Sequence, residues 1–302
     1  MEGPEEKNES ANSSGGMTGA VAPTSSRENP SSTPCPTCGA GSPSLPPFSY
    51  VYALGRIEPR FPSPGIEKEF AQVVGRSDTT GLTDRQTLHT VLSNGENRYL
   101  ARQLCWVFTV EGMDTYILTP RDSLDIDALL ASLRPAPRPT DVDVVIGLRG
   151  PIAPPDMCNG LMLPIVRFDQ LYSFDIDSLI KSIPRPTTAG AKDAGPAADE
   201  VFQRVMHVTG NTGATDEHRA LNYLVVRYPA LYAKTAEQFG QNSSLTAVEV
   251  RPSPLGGARK VVEVICSYTN RVTDVTEKFF VRLDMTEEFP FLITKLSPYF
   301  DR

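Results

Sequence analysis

Hydrophobic and polar positions change their period several times along the chain, and each change marks an element. SYVYALGRI, from Ser49, alternates and predicts a first strand that ends at Gly55. IEKEFAQVV, from Ile66, has the spacing of a short amphipathic helix. TDRQTLHTVL places Thr83 and Gln86 at the separation of a capping box, with Leu88, Val91 and Leu92 on one helical face. CWVFTV and TYIL, separated by EGMD, read as two strands joined by a glycine-containing turn. DVDVVIGLRG predicts a strand over 142–148 that runs into a loop rich in Gly and Pro. TDEHRALNYLVVRY and a segment opened by Pro229 predict helices, the first with Thr215 as N-cap. LTAVEVRPS, RKVVEVICSYT, EKFFVRLDM and PFLITKLS then alternate and predict an antiparallel meander with one face packed and one solvated. The expected fold is α+β, a single domain with a C-terminal meander.

One pattern recurs. DIDALLASL at 125–133 matches DIDSLIKSI at 175–183 at five of nine positions, and both copies place apolar residues at i, i+3, i+4 and i+7. Asp125 and Asp175 sit at an N-cap or first-turn position, where free amides and the helix dipole favour a carboxylate, and Pro135 and Pro184 stop the helices. A strand-like run, TYIL or LPIVRF, precedes each copy. Chance similarity of short amphipathic helices is one reading; a duplicated strand–helix unit is the other.

The first 49 residues depart from this patterning. Thirty-one of them are Gly, Pro, Ser, Thr or Asn, and the first aromatic is Phe48. Such a segment cannot bury enough apolar surface to offset its conformational entropy, so 1–34 is expected to be disordered, ahead of a folded body over 35–302. The tail carries five Glu against Lys7 and Arg27, hence −3 of the formal net charge of −7. An acidic chain lacks the electrostatic footprint of a nonspecific nucleic-acid binder. No apolar stretch reaches the roughly 18 residues of a membrane helix, and the polar, acidic start is unlike a secretory signal, so the cytoplasm is the expected compartment.

Charge and composition name no chemistry, but the cysteines do. Cys35 and Cys38, in CPTCG, have the spacing of half a zinc knuckle: two thiolates can face one ion, and Gly39 frees the turn. A redox dithiol uses the same spacing, although its usual place is between a strand and a helix, not in Pro-rich coil. Of the other cysteines, Cys266 sits among inward-facing Val262, Val264 and Tyr268 and is expected to be buried and inert. Cys105 lies on the less apolar face of its strand, and Cys158 lies in the PPDMCNG loop. They precede the two repeat copies by twenty and seventeen residues, so a pseudo-symmetric fold would bring them together. The expected metal set is therefore Cys35, Cys38, Cys105 and Cys158 around a structural zinc; for Cys105 alone, a small buried hydrophobe is the competing reading. His89, His207 and His218 show no ligand spacing, and no G-x-S-x-G, P-loop or G-x-G-x-x-G occurs.

Several long blocks point to a family. YVYALGRIEPRFPSPGIEKEFAQ, GLTDRQTLH, NRYLARQLCWVFTVEG, DVDVVIGLRGPIAPPDMCNGLMLPIV, GATDEHRALNYLVVRYPALY and the final TDVTEKFFVRLDMTEEFPFLITKLSPYFDR closely resemble the C-terminal domain of the cyanobactin maturation proteases PatA and PatG. In those proteins the domain, of unassigned activity, follows a subtilisin-like protease, and this chain contains no Ser/His/Asp elements of such a protease. The resemblance implies an accessory role in a pathway that modifies ribosomally made peptides. The expected partner is a precursor peptide or a modifying enzyme, with homodimerisation open and neither nucleic acid nor membrane involved. A metal-dependent enzyme acting on such a peptide is the alternative; four sulfur ligands would close the metal site and favour the binding module.

Overall fold

The computed structural model describes residues 49–77, 79–176, 178, 196, 199–201, 204 and 210–300, all within one compact unit, Leu45–Arg302. The first strand, β1 (Ser49–Arg60), does not end at Gly55; it changes partners there. Residues 49–55 pair antiparallel with β4 (Asp141–Ile152), and residues 56–60 pair with β2 (Cys105–Val110). A Cβ at Gly55 would lie 2.1 Å from the Thr109 carbonyl oxygen, so the crossing of strands admits only glycine. Just beyond the change, the Ile57 amide donates to the Asp143 carboxylate at 2.9 Å. Asp143 is the residue opposite Gly55 on β4, and its burial pushes its carboxyl up from the usual range.

The expected hairpin forms. β2 turns through Glu111 and Gly112, both with positive φ, into β3 (Met113–Thr119). β3 pairs parallel with β5 (Pro164–Asp175), and β5 pairs antiparallel with β4, which closes a five-stranded barrel in the order β1-β2-β3-β5-β4. Four helices, α1 (Pro64–Val74), α2 (Asp84–Ser93), α3 (Arg98–Gln103) and α4 (Ser123–Ser132), share a core with one side of it. Thr83 and Gln86 form the reciprocal capping box that opens α2. Trp106 of β2 is buried in this core, and its indole N–H donates to the Ala101 carbonyl at 3.0 Å.

The first repeat copy is α4, capped by Asp122, with Asp125 in its first turn. In the second copy Asp175 is still the last residue of β5; beyond Ile176 that copy lies almost wholly outside the described residues. The strands that precede the two copies, β3 and β5, do lie side by side and parallel.

α5 (Asp216–Arg227) and α6 (Pro229–Gly240) pack between the barrel and a second sheet, through a core that joins Tyr52 and Leu54 of β1 to Leu221 and Leu224 of α5. That sheet is the antiparallel meander β6 (Ser243–Pro252), β7 (Val261–Asn270) and β8 (Thr276–Asp284). The fourth alternating run, PFLITKLS, is split into β9 (Phe291–Leu292) and β10 (Ser297–Pro298), both on the β8 edge. Between them the Thr294 hydroxyl, instead of a backbone carbonyl, accepts from the Arg282 amide at 2.9 Å, so the ladder is interrupted.

A polar seam joins the two halves. The outer edge of β1 at Tyr52 receives a loop: the Tyr52 amide donates to the Gly213 carbonyl at 2.9 Å, and Asn222 Nδ2 of α5 donates to the Tyr52 carbonyl at 2.7 Å. Asn211 and Asn222 exchange hydrogen bonds at 2.8 and 3.2 Å, which satisfies both buried amides. Gly213 has φ +74, and a Cβ there would sit 2.3 Å from the Tyr52 carbonyl oxygen. No helix among the described residues is long and apolar enough to cross a membrane.

Candidate functional site

Cys105 and Cys158 do meet. Cys105 opens β2, and Cys158 lies in the excursion between β4 and β5, where Cys158, Asn159 and Gly160 all take positive φ. The two sulfurs are joined in a disulfide, with the Cα atoms 5.6 Å apart. Around them Ile117 and Ala153 form a small apolar cluster of their own, against which Leu161 and Leu163 pack. In this oxidised form neither sulfur is available to an ion, because zinc binds thiolates. Cys35 and Cys38, like His207 and the 1–34 tail, lie outside the described residues. Among the described residues no group of three or more His, Cys, Asp or Glu is placed to hold a metal. Cys266 is buried on the inner face of β7, and burial pushes its thiol up to about 12, as expected of an inert cysteine. His218 Nδ1 is buried without a hydrogen-bond partner, and burial lowers its pKa; His89 is half-buried on α2.

The second sheet presents an open apolar surface. Phe289, Phe291 and Ile293 alternate along the segment that forms β9 and are 47, 69 and 44% exposed, whereas Leu292 between them turns into the core. Beside this edge, a cleft of about 540 Å³ crosses the outer face of the sheet, walled by Leu255, Phe280, Tyr299 and Phe300. Its size is that of a small-ligand or side-chain pocket. Phe280 and Tyr299 meet edge to face at 5.7 Å, and the Arg282 guanidinium lies 4.9 Å over the Phe280 ring while its Nε donates to Glu263 at 2.7 Å. Phe300 is 81% exposed. An apolar stripe of this kind on a sheet edge is what an extended chain needs for docking: main-chain groups to pair with and side chains to pack against.

A family model described as the PatG domain matches residues 50–251, from β1 to the end of β6. The chain belongs to the PatG domain family. One solved structure, titled "PatG Domain of Unknown Function", is similar to this PatG domain with a TM-score of 0.68 at 20% sequence identity; the match covers 83% of this chain and 98% of that one. No curated protein matches the chain. At that identity the likeness establishes the fold, α+β with the barrel and the antiparallel second sheet.

Sequence reasoning missed the clamp that holds the β9 edge of the PatG domain in place. Arg219 of α5 is 2% exposed. Its Nη1 donates to Asp216 and to the Met285 carbonyl, both at 3.1 Å, and its Nη2 donates to the carbonyls of Glu287 and, at 2.9 Å, Glu288. The guanidinium also lies 5.2 Å over the Tyr50 ring. In the sequence, Arg219 follows three polar residues at a helix start and looks like a solvated position; only the packing of the 285–288 segment against α5 buries it.

Proposed function

We propose that this PatG domain is an accessory protein of a cyanobactin-like pathway and that it binds a ribosomally made precursor peptide along the β9 edge of its second sheet. The observation that supports this reading is the stripe of Phe289, Phe291 and Ile293 beside the Phe280–Tyr299 cleft. An extended peptide adds to an open sheet edge through its main chain and places alternate side chains against such a stripe. The reduced chain is also proposed to carry a structural zinc on Cys35, Cys38, Cys105 and Cys158. The fold already brings the two body cysteines from segments 53 residues apart into contact, so reduction would leave two thiolates side by side. Zinc would then tie the CPTCG segment to β2 and to the 153–163 excursion.

Fluorescence anisotropy with a labelled precursor peptide encoded near the gene tests the binding reading. Saturable binding that Phe291→Ser weakens at least tenfold, with the far-UV spectrum unchanged, is the expected result. Binding that Phe291→Ser and Ile293→Ser leave unchanged would move the peptide elsewhere, and association with a neighbouring enzyme alone would replace the peptide as partner. Elemental analysis of the reduced protein tests the zinc. About one ion per chain, lost in Cys35→Ser and in Cys105→Ser, is expected; zinc retained in either variant would remove that cysteine from the set.

A further inference from the structure

The clamp on the β9 edge contains a carboxyl group with one oxygen buried away from any donor. Glu288 Oε1 is buried and meets no hydrogen-bond donor. The charged groups that face Glu288 come from three other elements: Asp169 of β5, Arg121 from the turn before α4, and Arg219 of α5. The two cations are committed elsewhere. Arg121 forms an ion pair with the Asp169 carboxylate, donates to the Asp169 carbonyl at 3.2 Å, and reaches Asp125 at 3.3 Å. Arg219 spends its Nη donors on Asp216 and on the main-chain carbonyls of Met285, Glu287 and Glu288, not on the Glu288 carboxylate. Ionised Glu288 therefore confronts the Asp169 carboxylate with a buried oxygen unsatisfied. Protonated Glu288 gains the one O–H donor in the cluster, and Asp169 is its acceptor.

We propose that Glu288 and Asp169 form a proton-operated latch, in which a proton on Glu288, donated to the Asp169 carboxylate, fastens the segment Met285–Ile293 to the barrel, and loss of that proton loosens the segment. Burial first, and then the hydrogen bond and charge of Asp169, push the Glu288 carboxyl up to about 7, against the pull of Arg121 and Arg219. The latch thus works near neutral pH. The segment it fastens carries Phe289, Phe291 and Ile293, so the proton controls how firmly that stripe is presented. The latch does not depend on what the stripe binds.

Hydrogen–deuterium exchange of the full chain at about pH 6 and about pH 8, corrected for the intrinsic rate, tests the latch. Protection of the amides of 285–293 is expected to fall about tenfold in the wild-type protein between the two conditions, as follows from one pH unit beyond the titration point. Glu288→Gln keeps a donor in place at both pH values and is expected to abolish the difference. Asp169→Asn supplies an amide donor to ionised Glu288 and is expected to do the same. Amides of β4 and β5 report in each variant that the barrel is intact. Equal protection at both pH values in the wild type, or an undiminished pH difference in Glu288→Gln with the barrel protected, would overturn the proposal.

Discussion

Replacing Arg219 by Met is expected to cost about 3 kcal/mol of stability and to free the C-terminal segment selectively. The substitution keeps an unbranched, helix-compatible side chain on α5 and removes only the guanidinium. Four acceptors then lose their donor: the Asp216 carboxylate and the carbonyls of Met285, Glu287 and Glu288. They do not count equally. Met285 is fully buried, so its carbonyl bears the full desolvation cost, about 1–3 kcal/mol. Glu287 is exposed and Glu288 half-buried, so water can replace much of what their carbonyls lose, at about 0.5 kcal/mol each. Asp216 has Lys260 as a second partner at 3.7 Å and loses little. The Tyr50 contact adds about 1 kcal/mol. Against these stands relief from burying a charge, which already holds the Arg219 pKa below its usual value and trims the total by about 1 kcal/mol. Urea unfolding read by tryptophan fluorescence measures the loss, since Trp106 is the chain's single tryptophan and is buried in the barrel core. Limited proteolysis under native conditions is expected to show a new cleavage within 285–293 that the wild type lacks. A loss below about 0.5 kcal/mol with no new cleavage would refute the reasoning, because it would mean that water satisfies these carbonyls as well as the guanidinium does.

Gly213→Ala is expected to lower stability by about 3 kcal/mol or more in thermal unfolding, since the residue combines positive φ with a 2.3 Å clash against the Tyr52 carbonyl oxygen; a change under about 1 kcal/mol would mean that the seam is loose. Reducing the Cys105–Cys158 disulfide in metal-free protein is expected to cost about 2–4 kcal/mol, from the length of the loop it closes, and to raise hydrogen exchange over 153–163 before any other segment. For pH, the folded-state pKa of Glu288 is raised from 4.5 to about 7, so the stability it contributes is full below about pH 4.5 and is lost as pH rises toward 7. Glu288→Gln is accordingly expected to flatten that slope and to gain about 1–2 kcal/mol at pH 8, a figure discounted for the partial exposure of the side chain. Parallel wild-type and variant stability curves between pH 4.5 and 8 would contradict it.

Local patterning was enough for most elements of this fold. Thr83 and Gln86 bond to each other's backbone whatever surrounds them, Glu111–Gly112 turns a hairpin through conformations available to that pair, and the Val262–Val264–Cys266–Tyr268 alternation buries one face of β7. Each of these signals acts over a few residues and is written in the chain. The family blocks lie in the same readable stretches. What the sequence could not show are arrangements that depend on a partner far away. Gly55 reads as a strand end, but it is the point where β1 passes from β4 to β2, because the close neighbour is Thr109. PFLITKLS reads as one strand, and it is split because a side chain, Thr294, takes the place of a carbonyl opposite Arg282. Cys105 and Cys158 were expected to meet, and they do, but whether two neighbouring sulfurs bond to each other or to an ion depends on oxidation state, which spacing does not encode. Arg219, Asn222, Asp143 and Glu288 are ordinary polar residues at polar positions in the sequence. They became a clamp, a seam, a strand switch and a latch only when the barrel and the second sheet closed over them, because the cost of an unsatisfied polar group arises on burial, and burial is a property of the whole fold.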